Sequence, residues 1–104
     1  MRPVLGMREA DRPILEVLSS SSLALKPGAI KYNLRTRYDQ DFHQQTIYRR
    51  LRYLVHADLI EKEDEDLGYY AITEVGERLL DKELDDSEVA EITQRLQEGP
   101  PEDD

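Results

Sequence analysis

Glutamine and arginine side chains recur along the segment from Gln44 to Ile60. On a helix, which turns by about 100° per residue, Gln45, Arg49 and Arg52 share one face. Glutamine and arginine are the side chains that hydrogen-bond purine edges and phosphates in a major groove. These residue types at this spacing therefore favour a DNA-reading helix. The alternative is a solvated helix face with no partner.

The other side of the same segment is apolar. Ile47, Leu51 and Leu54 follow the i, i+4, i+7 spacing of a stripe that faces a core. Tyr48 lies on the flank, where it could contact a thymine methyl group or a phosphate, or could cover the rim of the core. Arg50 lies closer to the core edge, so we expect it to pair with an acidic neighbour or a phosphate and to have no base-reading role.

The charge of the chain is unevenly distributed. The net charge is -9, which is unfavourable for binding a polyanion. Residues 26–56, however, carry seven basic and two acidic side chains, whereas residues 57–104 carry four basic and eighteen acidic ones. An acidic protein with a basic island, and with ten Arg against four Lys, is typical of a DNA-binding protein from a high-salt cytoplasm. An acidic mesophilic protein is the alternative.

Length and composition exclude several classes of protein. The 104 residues suffice for one small domain. The absence of cysteine excludes disulfides and thiolate sites. No apolar run approaches a membrane span and no signal peptide is evident, so we expect a cytoplasmic protein. His43 and His56 are too far apart for a typical metal motif, and the carboxylates lie in runs, so we expect no metal site, no cofactor and no catalysis. No small-molecule ligand is evident from the sequence, which leaves open whether an inducer exists.

The first half of the chain predicts three helices. Residues 1–8 read as a flexible arm, and the first helix should begin between Arg8 and Asp11, with Asp11 as its cap, and end at the serines 19–22. Pro27 opens the second helix. Asp41 is the expected cap of the third helix, which spans residues 43–57. Because the start of the second helix often abuts the DNA backbone in this arrangement, its phosphate candidates are Lys26, Lys31 and Arg35.

The second half predicts a hairpin and two more helices. Residues 59–63 and 69–73 read as two strands joined through Gly68, and residues 23–25 as a minimal edge strand. Thr73 should cap a helix that runs to about Leu84. Asp85 and Glu88 have the spacing of a capping box at the start of a helix over residues 85–98. An acidic, disordered tail over residues 99–104 should follow.

An apolar stripe runs along the predicted last helix. It could pack on its own domain or pair with a second copy of the chain. We favour dimerisation, because one reading helix covers only a few base pairs and a symmetric dimer doubles the site. The stripe consists of Val89, Ile92 and Leu96.

Several blocks of sequence resemble a known family. The segments 7–11 (MREAD), 29–34 (AIKYNL), 48–54 (YRRLRYL), 68–70 (GYY) and 72–76 (ITEVG) are similar to those of haloarchaeal winged helix-turn-helix regulators of the phage phi-H repressor type. The resemblance covers residues 7–84. It implies a dimeric transcriptional repressor or related regulator, in which Gln45, Thr46, Tyr48 and Arg49 face bases or phosphates. The chain departs from the family in a longer turn over residues 39–42 and in an acidic wing tip over residues 61–66.

The combined expectation is a mainly α fold with a small β-hairpin wing, that is, a winged helix-turn-helix domain over residues 9–84 plus a C-terminal helix. Its expected function is sequence-specific binding of double-stranded DNA at an inverted-repeat operator. A winged-helix adaptor that binds protein through the acidic wing and the last helix is the alternative. The predicted DNA-binding residues are Gln44, Gln45, Thr46, Tyr48, Arg49, Arg52, Lys26, Lys31 and Arg35.

Overall fold

Five helices and one hairpin form within residues 1–101, in the predicted order. The computed structural model describes residues 1–101. The elements are α1 (Asp11–Ser21), α2 (Pro27–Arg37), α3 (Gln44–His56), β1 (Ile60–Asp64), β2 (Tyr69–Ile72), α4 (Glu74–Leu80) and α5 (Asp86–Glu98). The predicted fold, mainly helical with a hairpin wing, is confirmed.

Two helix caps differ from those predicted. α1 begins within the predicted range, but its N-cap is Ala10. Asp11 lies inside the helix, where its carboxylate accepts a hydrogen bond from the Arg8 N–H at 2.9 Å. The cap of α3 is His43, whose Nδ1 accepts the N–H of Gln45 at 3.1 Å. The N–H groups in the first turn of a helix have no partner within the helix, and the His43 imidazole accepts a hydrogen bond from one of them. The predicted acceptor was the Asp41 carboxylate.

The caps of the later helices follow the predictions. The Thr73 hydroxyl accepts the N–H of Gly76 at 3.0 Å, and both hydrogen bonds of the Asp85–Glu88 capping box are present. The predicted length of α4 is wrong, because the helix ends at Leu80. Lys82 has a φ of +60°, a left-handed conformation that cannot continue a helix.

The wing is a short antiparallel hairpin that carries a rudimentary third strand. Its register pairs Ile60 with Ile72 and Lys62 with Tyr70. Leu25 exchanges two backbone hydrogen bonds with Tyr70, each 2.8 Å long. The edge strand predicted for residues 23–25 is therefore a single bridge at Leu25.

The apolar stripe of α5 completes the core of its own chain. Val89, Ile92 and Leu96 are only 5%, 4% and 2% exposed and belong to the same buried cluster as the stripe of α3. They offer no exposed surface to a second copy, so the prediction that they form a dimerisation surface is corrected. Packing against α3 of the same chain removes these three side chains from water without the entropy loss of bringing two chains together.

Both ends of the described chain contact the helices. In the arm predicted for residues 1–8, the N–H of Leu5 donates to Thr93 Oγ1 at 3.1 Å, and Gly6 accepts from Arg50 Nη2 at 3.3 Å. Gly99 is buried against Tyr53. The remainder of the predicted tail, residues 102–104, lies outside the described residues. No helix within residues 1–101 is long and apolar enough to cross a membrane.

Candidate nucleic-acid interface

The outer face of α3 carries the polar side chains that sequence periodicity assigned to it. Gln45, Arg49 and Arg52 are exposed. The opposite face is fixed in the core, with Ile47, Leu51 and Leu54 no more than 1% exposed. Because the stripe determines how the helix is rotated, the three polar side chains have a defined direction, away from the protein.

Arg50 differs from the other arginines of α3 because it is buried. Its Nε donates to Asp11 Oδ1 and its Nη2 to Asp11 Oδ2, each at 2.8 Å. Its guanidinium also lies 4.2 Å from the centroid of the Tyr53 ring. The expectation of an acidic partner is therefore confirmed, and the partner ties α3 to the start of α1.

The turn between α2 and α3 is held by Lys31. Its ammonium donates to the carbonyl oxygen of Phe42 at 2.6 Å and lies 3.4 Å from Asp41 Oδ1. Asp39, at the start of this turn, has a φ of +55°, and the N–H of Gln40 returns to the Leu34 carbonyl. By binding the Phe42 carbonyl just before α3, Lys31 helps to position this helix. The structure gives this predicted phosphate ligand an intramolecular role.

A cleft on the wing side of α3 brings together residues from three elements. It measures about 490 Å³ and contains Tyr48, Lys26 at the start of α2, and Lys62 on β1. Tyr48 is 46% exposed, so it covers the core rim only in part. A smaller cleft beside it, of about 110 Å³, contains Gln44, Tyr48 and Lys31. This flank therefore gathers four of the predicted residues and adds Lys62.

A second large cleft lies on the α1 side of α3. It measures about 510 Å³ and is lined by Thr46 and Arg49, together with Arg8 from the segment before α1. Arg8 is exposed, and it was missed because nothing in the spacing of residues 8 and 49 indicates that they line the same cleft. Arg35 lies outside these three clefts, with its guanidinium 5.8 Å from the Tyr32 ring.

Lys62 was missed because the wing was read only as an acidic run. Side chains alternate between the two faces of a strand. Lys62 therefore shares a face with buried Ile60, and Glu61 lies on the other face. Lys62 lines clefts together with Tyr48 and Arg52 of α3, so the wing presents a cation beside this helix. The period-two alternation over residues 60–62 could have revealed that Lys62 lies on the face of Ile60.

A further cleft joins the end of α3 to the wing and to the chain after α5. Arg52 Nη2 donates to the carbonyl of Pro101 at 3.4 Å, and His56 Nε2 lies 2.9 Å from Glu98 Oε1. Both residues line this cleft of about 390 Å³ together with Lys62 and Tyr70. Arg52 thus lies at the border between the outer face of α3 and a separate concave surface.

No cluster of three or more potential metal ligands occurs within residues 1–101. His43 caps α3 and His56 contacts Glu98, so each histidine has a partner within the fold.

Comparison with protein families agrees with this geometry. A family model described as a winged helix-turn-helix phage repressor matches residues 1–92. The match covers the hairpin, the helix-turn-helix and the first half of α5. No curated protein and no solved structure matches the chain.

Proposed function

Because the chain belongs to the winged helix-turn-helix phage repressor family, and is thus a DNA-binding regulator, we propose that it represses transcription by reading a specific operator through α3. One observation carries the proposal. Gln45, Arg49 and Arg52 are exposed on a helix whose opposite face is locked in the core. A helix in a major groove needs a polar reading face and a fixed orientation.

The clefts beside α3 suggest how the DNA backbone would be held. Lys26 and Lys62 flank the helix on the wing side, and Arg8 flanks it next to Arg49 on the other side. Phosphate contacts fix the register of a protein on the duplex, and base contacts supply the sequence specificity. We assign base reading to Gln45 and Arg49, and phosphate contacts to Lys26, Lys62 and Arg8. Gln44, Thr46 and Tyr48 lie at the edges of this surface.

We further propose that the repressor acts as a homodimer on an inverted repeat. The support is the small size of the reading surface, since one helix contacts only a few base pairs. The dimer must use residues other than Val89, Ile92 and Leu96, because these three are buried in the monomer. Sedimentation of the chain alone and with operator DNA would measure the stoichiometry.

We also propose that the protein works in a high-salt cytoplasm and is a repressor of the haloarchaeal phi-H type. The net charge of -9 supports it. With about six phosphate contacts, the logarithm of the DNA affinity should fall with a slope of about -5 against the logarithm of salt concentration. At molar salt the base contacts of α3 must therefore contribute a larger share of the binding free energy.

Selection of duplexes from a random-sequence pool, at several KCl concentrations, tests the function. The proposal predicts enrichment of one sequence, arranged as an inverted repeat. No enrichment at any salt concentration would contradict sequence-specific binding. A protein complex recovered in place of DNA would then favour the adaptor alternative, with the exposed carboxylates Glu61 and Glu63 as its contact surface.

A further inference from the structure

The cleft between the end of α3 and the wing contains apolar walls that DNA binding leaves unexplained. A backbone phosphate requires cations and other hydrogen-bond donors, not apolar surface. This cleft of about 390 Å³ has both polar and apolar walls. Its cationic or titratable side chains are Arg52, His56 and Lys62, and its apolar walls are formed by Val55, Tyr70, Pro100 and Pro101.

Two of the cationic side chains have donors available for a ligand. Arg52 is exposed, and among residues 1–101 it makes one long hydrogen bond, to the Pro101 carbonyl at 3.4 Å. An arginine has five N–H donors, and most of those of Arg52 form no hydrogen bond within this part of the chain. Lys62 forms no salt bridge within the described part of the chain, and its Nζ lies 5.9 Å from the centroid of the Tyr70 ring. The third group, His56, already contacts Glu98 at 2.9 Å.

The apolar wall is built by the turn that follows α5. Gly99 has a φ of +79°, and a Cβ at this position would lie 3.0 Å from Tyr53 Cε2. The glycine therefore directs the chain closely past Tyr53 and leads Pro100 and Pro101 along the cleft. Proline has a restricted backbone and no N–H, so the two residues form a stiff wall without donors. Tyr70, only 8% exposed, forms the opposite side.

We propose that this cleft binds a small organic carboxylate with a compact aromatic body. The carboxylate would lie between Arg52 and Lys62, and the body would pack on Val55, Tyr70 and the two prolines. Arginine is suited to paired hydrogen bonds with a carboxylate. The volume lies within the range of small-molecule sites, which combine apolar walls with a few polar groups.

Binding in this cleft would also lower the affinity for DNA, because Lys62 is assigned a phosphate contact and Arg52 borders the reading face of α3. This regulatory part rests on the proposed function. The ligand would compete for Arg52 and for Lys62, and would place a negative charge beside the path of the phosphates. By reciprocity, bound DNA would weaken carboxylate binding by the same factor.

A titration of the full chain with 2-naphthoate, followed by backbone amide NMR, tests the site directly. The proposal predicts saturable shifts centred on Arg52, Val55, Lys62 and Tyr70. The neutral analogue 2-naphthamide should bind at least about tenfold more weakly, since it cannot form a charge-assisted hydrogen bond with Arg52 or Lys62. Arg52→Met and Lys62→Met should each weaken naphthoate binding by a similar factor. Arg37→Met, at the exposed end of α2, is the matched control and should bind like the wild type.

The site is overturned if naphthoate produces no saturable shifts, if naphthamide binds equally well, or if Arg52→Met leaves the affinity unchanged. The titration contains no DNA, so its failure would leave the proposed repressor function standing. Conversely, if the chain binds naphthoate but no duplex, the carboxylate site stands and its regulatory role is excluded.

Discussion

Arg50 and Asp11 form a two-point ion pair in the interior, with both N–O distances at 2.8 Å and side-chain exposures of only 5% and 0%. Asp11 lies in the first turn of α1 and Arg50 in the middle of α3. The pair joins the scaffold to the reading helix. Because the guanidinium fork fits the carboxylate in one orientation, it also limits how α3 can rotate.

Removing one partner of this pair should strongly destabilise the fold. Asp11→Asn leaves the Arg50 guanidinium buried without a counter-charge, and Arg50→Met does the same to the Asp11 carboxylate. Each should lower the free energy of unfolding by about 3–5 kcal/mol in urea denaturation. Arg12→Met, an exposed neighbour, should change it by less than about 0.5 kcal/mol. A loss under about 1 kcal/mol in both partner variants would contradict the role of the pair.

Gly76 permits α4 to approach the backbone that precedes the wing. A Cβ at this position would lie only 2.2 Å from the Leu59 carbonyl oxygen and 2.7 Å from Ile72 Cγ1. Gly76→Ala should therefore cost about 3 kcal/mol of unfolding free energy, the upper end of typical overpacking penalties. Gly28→Ala is the control, because a Cβ there meets nothing within 4 Å. The control should be neutral or stabilising, and equal effects in thermal unfolding would exclude the steric explanation.

Local signals predicted the elements of this fold well and their contacts less well. The capping box at Asp85 and the stripe on α3 depend on short spacings, so the sequence contains the whole signal. The meeting of Asp11 with Arg50 depends on how two distant helices pack, and spacing carries no information about it. The stripe of α5 illustrates the same limit, because periodicity indicates that an apolar face will be buried but not which chain buries it.

Acid should weaken the attachment of α4 to the start of α5. Arg78 Nη1 and Nη2 contact the Glu88 carboxylate at 2.6 and 2.7 Å. The hydrogen bond from Arg78, followed by that from the Asp85 N–H, lowers the pKa of Glu88 below its usual value of 4.5. Because the pKa is lower in the folded state, the stability from this group is present above about pH 4.5 and is lost as the pH falls through the lowered pKa.

Glu88→Gln tests this dependence, since glutamine cannot ionise. The variant should be less stable than the wild type at pH 7, and the difference should shrink as the pH falls below about 4.5. Thermal unfolding across pH 7 to 3 would measure it. Glu91→Gln, in an exposed i, i+4 pair with Arg95, is the control and should change stability little. A stability difference that stays constant over this range would exclude Glu88 as the titrating group.

The wing should contribute to DNA affinity through Lys62 despite its acidic composition. Loss of one phosphate contact reduces the salt slope of DNA binding by about one. Lys62→Met should therefore weaken binding to all duplexes similarly and make it less salt-dependent in fluorescence anisotropy. Glu63→Gln removes an exposed negative charge of the wing and should leave the salt slope unchanged. An unchanged slope in Lys62→Met would exclude the wing from the phosphate contacts.

The reading face of α3 could be predicted from sequence, because helical periodicity places Gln45, Arg49 and Arg52 opposite a stripe. The residues that surround this face could not be predicted from the sequence. Arg8 and Lys62 come from segments 41 and 13 residues away from Arg49 along the chain, and only the packing of α1 and the hairpin brings them beside α3. Lys31, a phosphate candidate because of its place near the start of α2, also holds the turn through the Phe42 carbonyl, and its spacing in the sequence does not indicate this contact.

The central claim is that α3 reads DNA sequence through Gln45 and Arg49. The most direct measurement is the affinity of Gln45→Ala and Arg49→Ala for the selected operator and for an unrelated duplex, in the same concentrated KCl. Each variant should lose about 1–3 kcal/mol on the operator. On the unrelated duplex, each should lose much less, so that the ratio of the two affinities falls. Thr36→Ala, on the exposed surface of α2, should preserve both affinities. Unchanged operator affinity in both α3 variants would contradict the assignment of sequence reading to this helix.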